Sequence, residues 1–257
     1  MDLSIKGRVA LVTGASQGLG LAAAEALAAE GVNLVLAARN ADRLASAAFS
    51  VAEKFGVRVA HLATDVTQPQ EVEALVSFAI TQFGQIDICI ANAGGPQPKL
   101  FADTLNSEWI DAFELNVMSI INLARLTLPG MRELGWGRFV AISSITAKQP
   151  MQQMILSNAI RPSVGGLVKT LSNEYGGINL TVNNICPGFF ATPRLLKLQE
   201  TESKTRADIN SPLPHIAVGR VGQPHEFGAT VAFLCSESAG YINGISLMID
   251  GGYSKAW

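Results

Sequence analysis

Across 257 residues the chain has only three cysteines, three histidines and three tyrosines. Cys89, Cys186 and Cys235 stand far apart among apolar neighbours, which argues against a disulfide framework and reads as buried thiols. His61, His215 and His225 lack ligand spacing, so no metal site is expected. Charge is sparse too: 16% of residues are charged, the net charge is -2, and the basic residues are scattered. That leaves no basic field for nucleic acid. No apolar run reaches the roughly 20 residues that span a bilayer, and Met1-Asp2-Leu3-Ser4-Ile5-Lys6 lacks the basic segment and long apolar core of a signal peptide. The expectation is a soluble, cytoplasmic protein that acts on a small molecule, with neither nucleic acid nor membrane as partner.

Apolar residues are plentiful: they make up 48% of the chain, and its mean hydropathy is +0.27. That suffices for the core of one α/β domain over residues 1–257. Short apolar runs at 8–13, 33–38, 58–63, 86–91, 138–142, 181–185 and 245–249 read as strands. Between them, 19–30, 40–55, 71–83, 109–134, 163–175 and 227–235 have helical spacing. Such alternation predicts a parallel sheet covered on both faces. Residues 189–218 turn polar and irregular and read as a flap.

The most specific local signal is Val12-Thr13-Gly14-Ala15-Ser16-Gln17-Gly18-Leu19-Gly20, which follows a strand and opens an alanine-rich helix. Strand, glycine turn and helix in that order form a dinucleotide site. Gly14 allows the tight turn, Gly18 lets the backbone approach a pyrophosphate, and Gly20 lets the helix pack on the sheet.

Together with Asp65-Val66, Asn92-Ala93-Gly94, Asn116, Ser143-Ser144, Pro187-Gly188 and Asp250-Gly251-Gly252, this turn resembles the short-chain dehydrogenase/reductase family in order and spacing. The resemblance covers nearly the whole chain. It implies a doubly wound, Rossmann-like α/β fold with a seven-stranded parallel sheet and helices on both faces. It also implies a 3-oxoacyl-reductase-like interconversion of a carbonyl and a secondary alcohol. Gly14, Ser16, Gln17, Gly18 and Leu19 would take the pyrophosphate, Asp65 and Val66 the adenine edge, and Asn92, Ala93 and Gly94 the floor beside the ribose. Pro187, Gly188 and Thr192 would flank the nicotinamide. The bland alternatives are that Asn92 ties two strands together, Asp65 ends one, and Pro187-Gly188 merely turns the chain. The family also implies a homodimer or homotetramer, with helices at 109–134 and 151–175 as interfaces.

Ala38 stands where NAD-preferring relatives carry an acid that binds the ribose hydroxyl, and Arg39 follows, placed for a 2′-phosphate. NADP(H) is therefore favoured over NAD(H). Against this, Gln17 replaces the second basic residue of many NADP-preferring relatives, and Arg39 has an ordinary surface reading.

The resemblance breaks at the reaction site. Ser144 and Asn116 match the family's serine and asparagine, but the usual tyrosine and lysine are replaced by Ser157 and Arg161. Tyr175, Tyr241 and Tyr253 lie too far along the chain for a local shift to restore the phenol. An aliphatic hydroxyl is far less acidic than a phenol, and a guanidinium stays protonated, so neither replacement takes over its predecessor's proton chemistry. Pro162 adds that this helix either starts late or kinks beside Arg161. Lys148, on the loop leaving the fifth strand, is an alternative acid. The expected catalytic set is Asn116, Ser144, Ser157 and Arg161. Two other classes stay open on the same residues: a dehydratase or isomerase on this fold, and a noncatalytic nucleotide sensor or partner subunit.

Overall fold

The computed structural model describes residues 2–177, 179–196 and 215–255. Seven parallel strands form one sheet: β1 (Val9–Thr13), β2 (Asn33–Ala38), β3 (Val59–Ala63), β4 (Ile88–Asn92), β5 (Gly137–Ile142), β6 (Leu180–Pro187) and β7 (Ser246–Ile249), in the order β3-β2-β1-β4-β5-β6-β7. β1, β5 and β6 are buried along their whole length, as expected of strands covered on both faces. Alternate residues feed two cores: Ala10, Val12, Leu34, Leu36, Ile88 and Ile90 face one way, and Leu11, Val35, Ala37, Cys89 and Ala91 the other.

The first core is closed by α1 (Gly18–Ala29), α2 (Ala41–Phe55) and α8 (Pro224–Leu234). α1 and α8 approach closely, since a β-carbon on Gly228 would overlap the carbonyl of Ala22. The second core is closed by α3 (Pro69–Phe83), α4 (Asn106–Phe113), α5 (Ser119–Glu133), α6 (Ile155–Ile160) and α7 (Pro162–Tyr175). Among the described residues, no helix is long and apolar enough to cross a membrane.

Two departures from the sequence reading have clear causes. The helix expected at 109–134 starts at Asn106, where Glu108 Oε2 accepts the Leu105 N–H at 2.9 Å. It loosens to a π turn at Glu114–Met118 between α4 and α5. The helix expected at 163–175 is preceded by α6 and broken at Pro162, which occupies the first turn of α7, where a missing N–H costs little. Arg161 is the junction, in helical backbone, with its N–H still bonded to the Ser157 carbonyl at 3.0 Å. Of the flap expected at 189–218, residues 197–214 lie outside the described residues. Its near end is anchored by the Ala191 N–H on the Gly222 carbonyl, and its far end by the Val218 N–H on the Gly251 carbonyl.

At the N-terminal end of the sheet, the Trp136 indole lies between two guanidiniums, Arg8 at 3.9 Å and Arg138 at 4.4 Å. Arg138 is fully buried, and burial lowers its pKa. Carbonyls of Gly137, Asn179 and Ser236 accept its protons, and Glu237 balances its charge. Asp87, also buried, accepts from Arg8 at 2.9 Å.

Candidate active site

The strand order reverses between β1 and β4, and a cavity of about 920 Å³ opens where the strands end there. Its nearest wall is the turn from β1 into α1. Gly14 and Gly18 have φ of +60° and +63°, and a β-carbon on Gly14 would lie 2.5 Å from Asn92 Nδ2. A β-carbon on Gly20 would overlap the Gly14 carbonyl oxygen. α1 has no side-chain cap and no acid in its first turn, whereas Asn40 caps α2 by accepting the Arg43 N–H at 2.8 Å. The free N–H groups and positive dipole end of α1 therefore fit a phosphate group. Ser16, Gln17, Gly18 and Leu19 line the cavity here, with Thr192 methyl and β-carbons 3.8 Å from the point a Gly18 β-carbon would take.

At one end stand Arg39, Asp65 and Val66, as the sequence places them, joined by Arg43. Arg43 Nη1 donates to Gln17 Oε1 at 3.0 Å. A second basic residue, from the first turn of α2, thus stands beside Gln17. Asp65 Oδ1 accepts from the Thr67 amide and hydroxyl, which fixes its orientation.

The floor is formed by Asn92, Ala93 and Gly94. Asn92 does tie strands together: its backbone exchanges two bonds with the Thr13 hydroxyl, at 2.8 and 2.9 Å, and its amide donates to the Thr13 and Gly14 carbonyls. It also lines the cavity. Gly188 sits so close that a β-carbon would lie 2.7 Å from Asp250 Cβ, which seats Pro187-Gly188 on the Asp250-Gly251-Gly252 turn.

The opposite end holds Ser144, Ser157 and Arg161. Ser157 and Arg161, four residues apart across the end of α6, face the same side. Ser144 Oγ accepts the Thr146 N–H at 3.2 Å, and Thr146 Oγ1 lies 2.8 Å from Ser157 Oγ. Thr146 is the residue that sequence reasoning misses. Its hydroxyl is buried, and only the short helical turn at Ile145–Ala147 carries it back onto Ser157. Arg161 is 5% exposed and donates to the Ile142 carbonyl at 3.1 Å and the Gly94 carbonyl at 3.2 Å, while its Nε has no partner. Burial, with the charge of Arg194 added, pushes this guanidinium down to about 10, so it remains charged at neutral pH.

Of the set Asn116, Ser144, Ser157 and Arg161, only Asn116 is not part of the cavity lining. Its side chain donates to the Gly94 carbonyl at 2.7 Å, from the π turn that ends α4. Lys148 also leaves the site, because the turn at Ile145–Ala147 directs it to a separate depression beside Pro162 and Gly244. Of the tyrosines, Tyr175 lies under Arg132 at the end of α7 and Tyr241 is fully exposed. Tyr253 does line the cavity, edge-on to Phe189 with centroids 5.0 Å apart. Phe189, Phe190 and Leu195 form an apolar wall of the cavity, while Leu196 is exposed. Facing it, the Gly95-Pro96 stretch accepts from Arg194 at 3.1 and 3.0 Å.

Residues 14–254 match the family model described as enoyl-(acyl carrier protein) reductase. The chain is 33% identical over 250 residues to the 3-oxoacyl-[acyl-carrier-protein] reductase of Vibrio cholerae, covering 97% of this chain and 98% of that one. The structure of L-sorbose reductase from Gluconobacter frateurii, complexed with NADPH and L-sorbose, has a TM-score of 0.95 at 38% identity over 100% of both chains. A 7 alpha-hydroxysteroid dehydrogenase complexed with NADH has a TM-score of 0.89 at 32% identity, covering 98% of this chain and 96% of that one. All align along nearly their full length, glycine turn included.

Proposed function

The chain belongs to the short-chain dehydrogenase/reductase family and is an oxidoreductase that uses a nicotinamide nucleotide; from that premise we propose that it is an NADP(H)-dependent reductase of carbonyls to secondary alcohols, resembling a 3-oxoacyl reductase. One observation carries the reading. Two hydroxyls stand in the same cleft as the open end of α1: Ser144, which accepts an amide and keeps its proton, and Ser157, which shares a hydrogen bond with Thr146 that either hydroxyl can donate.

When bound, the reduced nicotinamide supplies a hydride to the carbonyl carbon. The carbonyl oxygen takes the π electrons and then a proton, leaving an alcohol. Ser144 accepts the Thr146 amide and keeps its own proton for the substrate oxygen. With Thr146 donating to Ser157, the Ser157 proton is free for the same oxygen. Two such donors stabilise the developing charge as an oxyanion hole does. The proton comes ultimately from solvent: a hydroxyl that passes its proton to the alkoxide regains one from water, so neither serine is left ionised. Arg161 fixes the Gly94 and Ile142 carbonyls and has N–H groups left that would hold the ribose hydroxyls. Asn116 acts as a positioning residue through the Gly94 carbonyl. Ser157→Ala should lower kcat about 10- to 100-fold with KM little changed, as loss of a transition-state donor requires. Equal loss in KM alone would assign Ser157 to ground-state binding.

The NADP preference rests on Arg39 and Arg43 at the end of the cleft that also holds Asp65. Titration should show NADPH binding tighter than NADH, and Arg39→Ala with Arg43→Ala should erase the difference, a loss of about 10- to 100-fold for NADPH. Tighter NADH binding would reject the preference. The deciding assay follows nicotinamide absorbance with ketones, 3-oxoacyl thioesters and alcohols. Stoichiometric oxidation of NADPH with alcohol formation supports the reading. Product without net nicotinamide change would instead assign a dehydratase or isomerase, and binding without turnover a sensor. Exposed Leu105, Ile110 and Phe113 on and beside α4 support a homodimer or homotetramer through that helix and α5.

A further inference from the structure

The reaction end of the cleft carries positive charge that no carboxylate balances among the described residues. Arg39, Arg43, Arg161 and Arg194 line the cavity with a single carboxylate, Asp65, which stands with Arg39 at the other end. Arg161 lies buried in the floor and Arg194 exposed at the mouth. Both guanidiniums are lowered in pKa by desolvation, and the charge of Arg194 adds to the shift of Arg161. Neither joins an ion pair among the described residues. Each has two η nitrogens bonded to carbonyls out of five N–H donors, so several donors remain on each. Adjacent like charges of this kind are unfavourable until an anion joins them.

The two guanidiniums converge on Gly95 where all three line the cavity. A β-carbon on Gly95 would stand 3.0 Å from Arg194 Nη2 and 3.3 Å from Arg161 Nη2, so both press against the glycine. Gly95 does not have a left-handed φ, so its backbone does not demand glycine. The close approach of the two arginines sets the residue.

We propose that the substrate carries a small oxyanion, a carboxylate or phosphate, that binds in the cleft beside Gly95 against Arg194, with Arg161 supplying charge from beneath. The inference rests on the carbonyl-reduction reading of the same cleft. The cofactor's pyrophosphate is the other source of such a group, but it has donors of its own at the open end of α1 beside Thr192.

The test compares NADPH-linked rates on matched pairs: short oxo acids against their methyl esters, and dihydroxyacetone phosphate against dihydroxyacetone. At least one anionic series should exceed its neutral partner in kcat/KM by about tenfold or more, and which series does so names the oxyanion. Arg194→Met and Gly95→Ala should each bring that ratio toward unity, and the neutral partner controls for disturbance of the loop. A ratio near unity in the unaltered protein, or one unmoved by both substitutions, overturns the proposal. Weaker NADPH binding by Arg194→Met in calorimetry, with the ratio unchanged, assigns the arginines to the pyrophosphate and also overturns it. No turnover of either partner is the failure of the reductase reading instead. In that case, calorimetry of oxalate and inorganic phosphate with the NADP-loaded protein tests the anion site alone. Binding that Arg194→Met abolishes upholds it, and no binding overturns it.

Discussion

A Gly20→Ala chain should bind NADPH at least about 100-fold more weakly than the unaltered protein. The added β-carbon meets the carbonyl oxygen and carbon of Gly14 and the Asn92 amide. Two of those atoms are backbone and cannot swing aside as a flexible side chain would. Either α1 lifts from the sheet or the turn unwinds, and both displace the N–H groups that would hold the pyrophosphate. Overpacking of this kind costs about 1–3 kcal/mol, which for a chain of this size lowers the melting midpoint by several degrees. Gly130→Ala is the control, because nothing lies within 4 Å of its β-carbon position in α5. It should leave affinity unchanged and raise stability by about 0.5–1 kcal/mol. Calorimetric titration and thermal melting of both variants read the difference, and an alanine at Gly20 that kept affinity within threefold, by about 0.7 kcal/mol, would refute the account of the turn.

The second large effect is expected at Arg161. Arg161→Met removes two hydrogen bonds from a charged donor, each of about 1.5–3 kcal/mol, and frees the Gly94 and Ile142 carbonyls that shape the floor. kcat/KM should fall about 100- to 1,000-fold. Stability should change little, because the lost bonds are opposed by relief of a buried charge whose desolvation depresses its pKa. A large loss of activity with a melting midpoint displaced by less than about 1 kcal/mol of stability is the signature of a functional arginine. Arg161→Lys should recover only part of the rate, since an ammonium does not reproduce the planar fork that reaches both carbonyls. Activity of Arg161→Met within tenfold of the parent, about 1.4 kcal/mol, would remove Arg161 from the site.

Much of the molecule is legible in its sequence because the sheet is buried on both faces. Strands such as β1 and β5 must then be continuous apolar runs, and their boundaries emerge within a few residues. The glycine turn is equally legible, since its geometry is local. Long-range convergence is not. Arg43 reaches Gln17 from the next helix, Arg194 reaches Gly95 from nearly a hundred residues downstream, and Tyr253 enters from the end of the chain. Lys148 shows the converse error: its place on the right loop is readable, but the direction of its side chain is set by a short helical turn that propensity does not announce. Pro162 was a clear warning about α7, yet only the structure shows that the chain uses it to start one helix directly after another, keeping Ser157 and Arg161 on one face.

The packing of Trp136 between Arg8 and Arg138 gives the protein an optical reporter. Its indole donates to Glu237 at 2.6 Å just before β5, at the end of the sheet opposite the cleft. Emission from this indole therefore follows disruption of the strand ends at Asp87 and Arg138. It is insulated by the length of the sheet from events at the glycine turn, so once Trp109 and Trp257 are replaced by phenylalanine and this indole emits alone, a variant that has lost its ligand can be distinguished in one cuvette from a variant that has lost its fold.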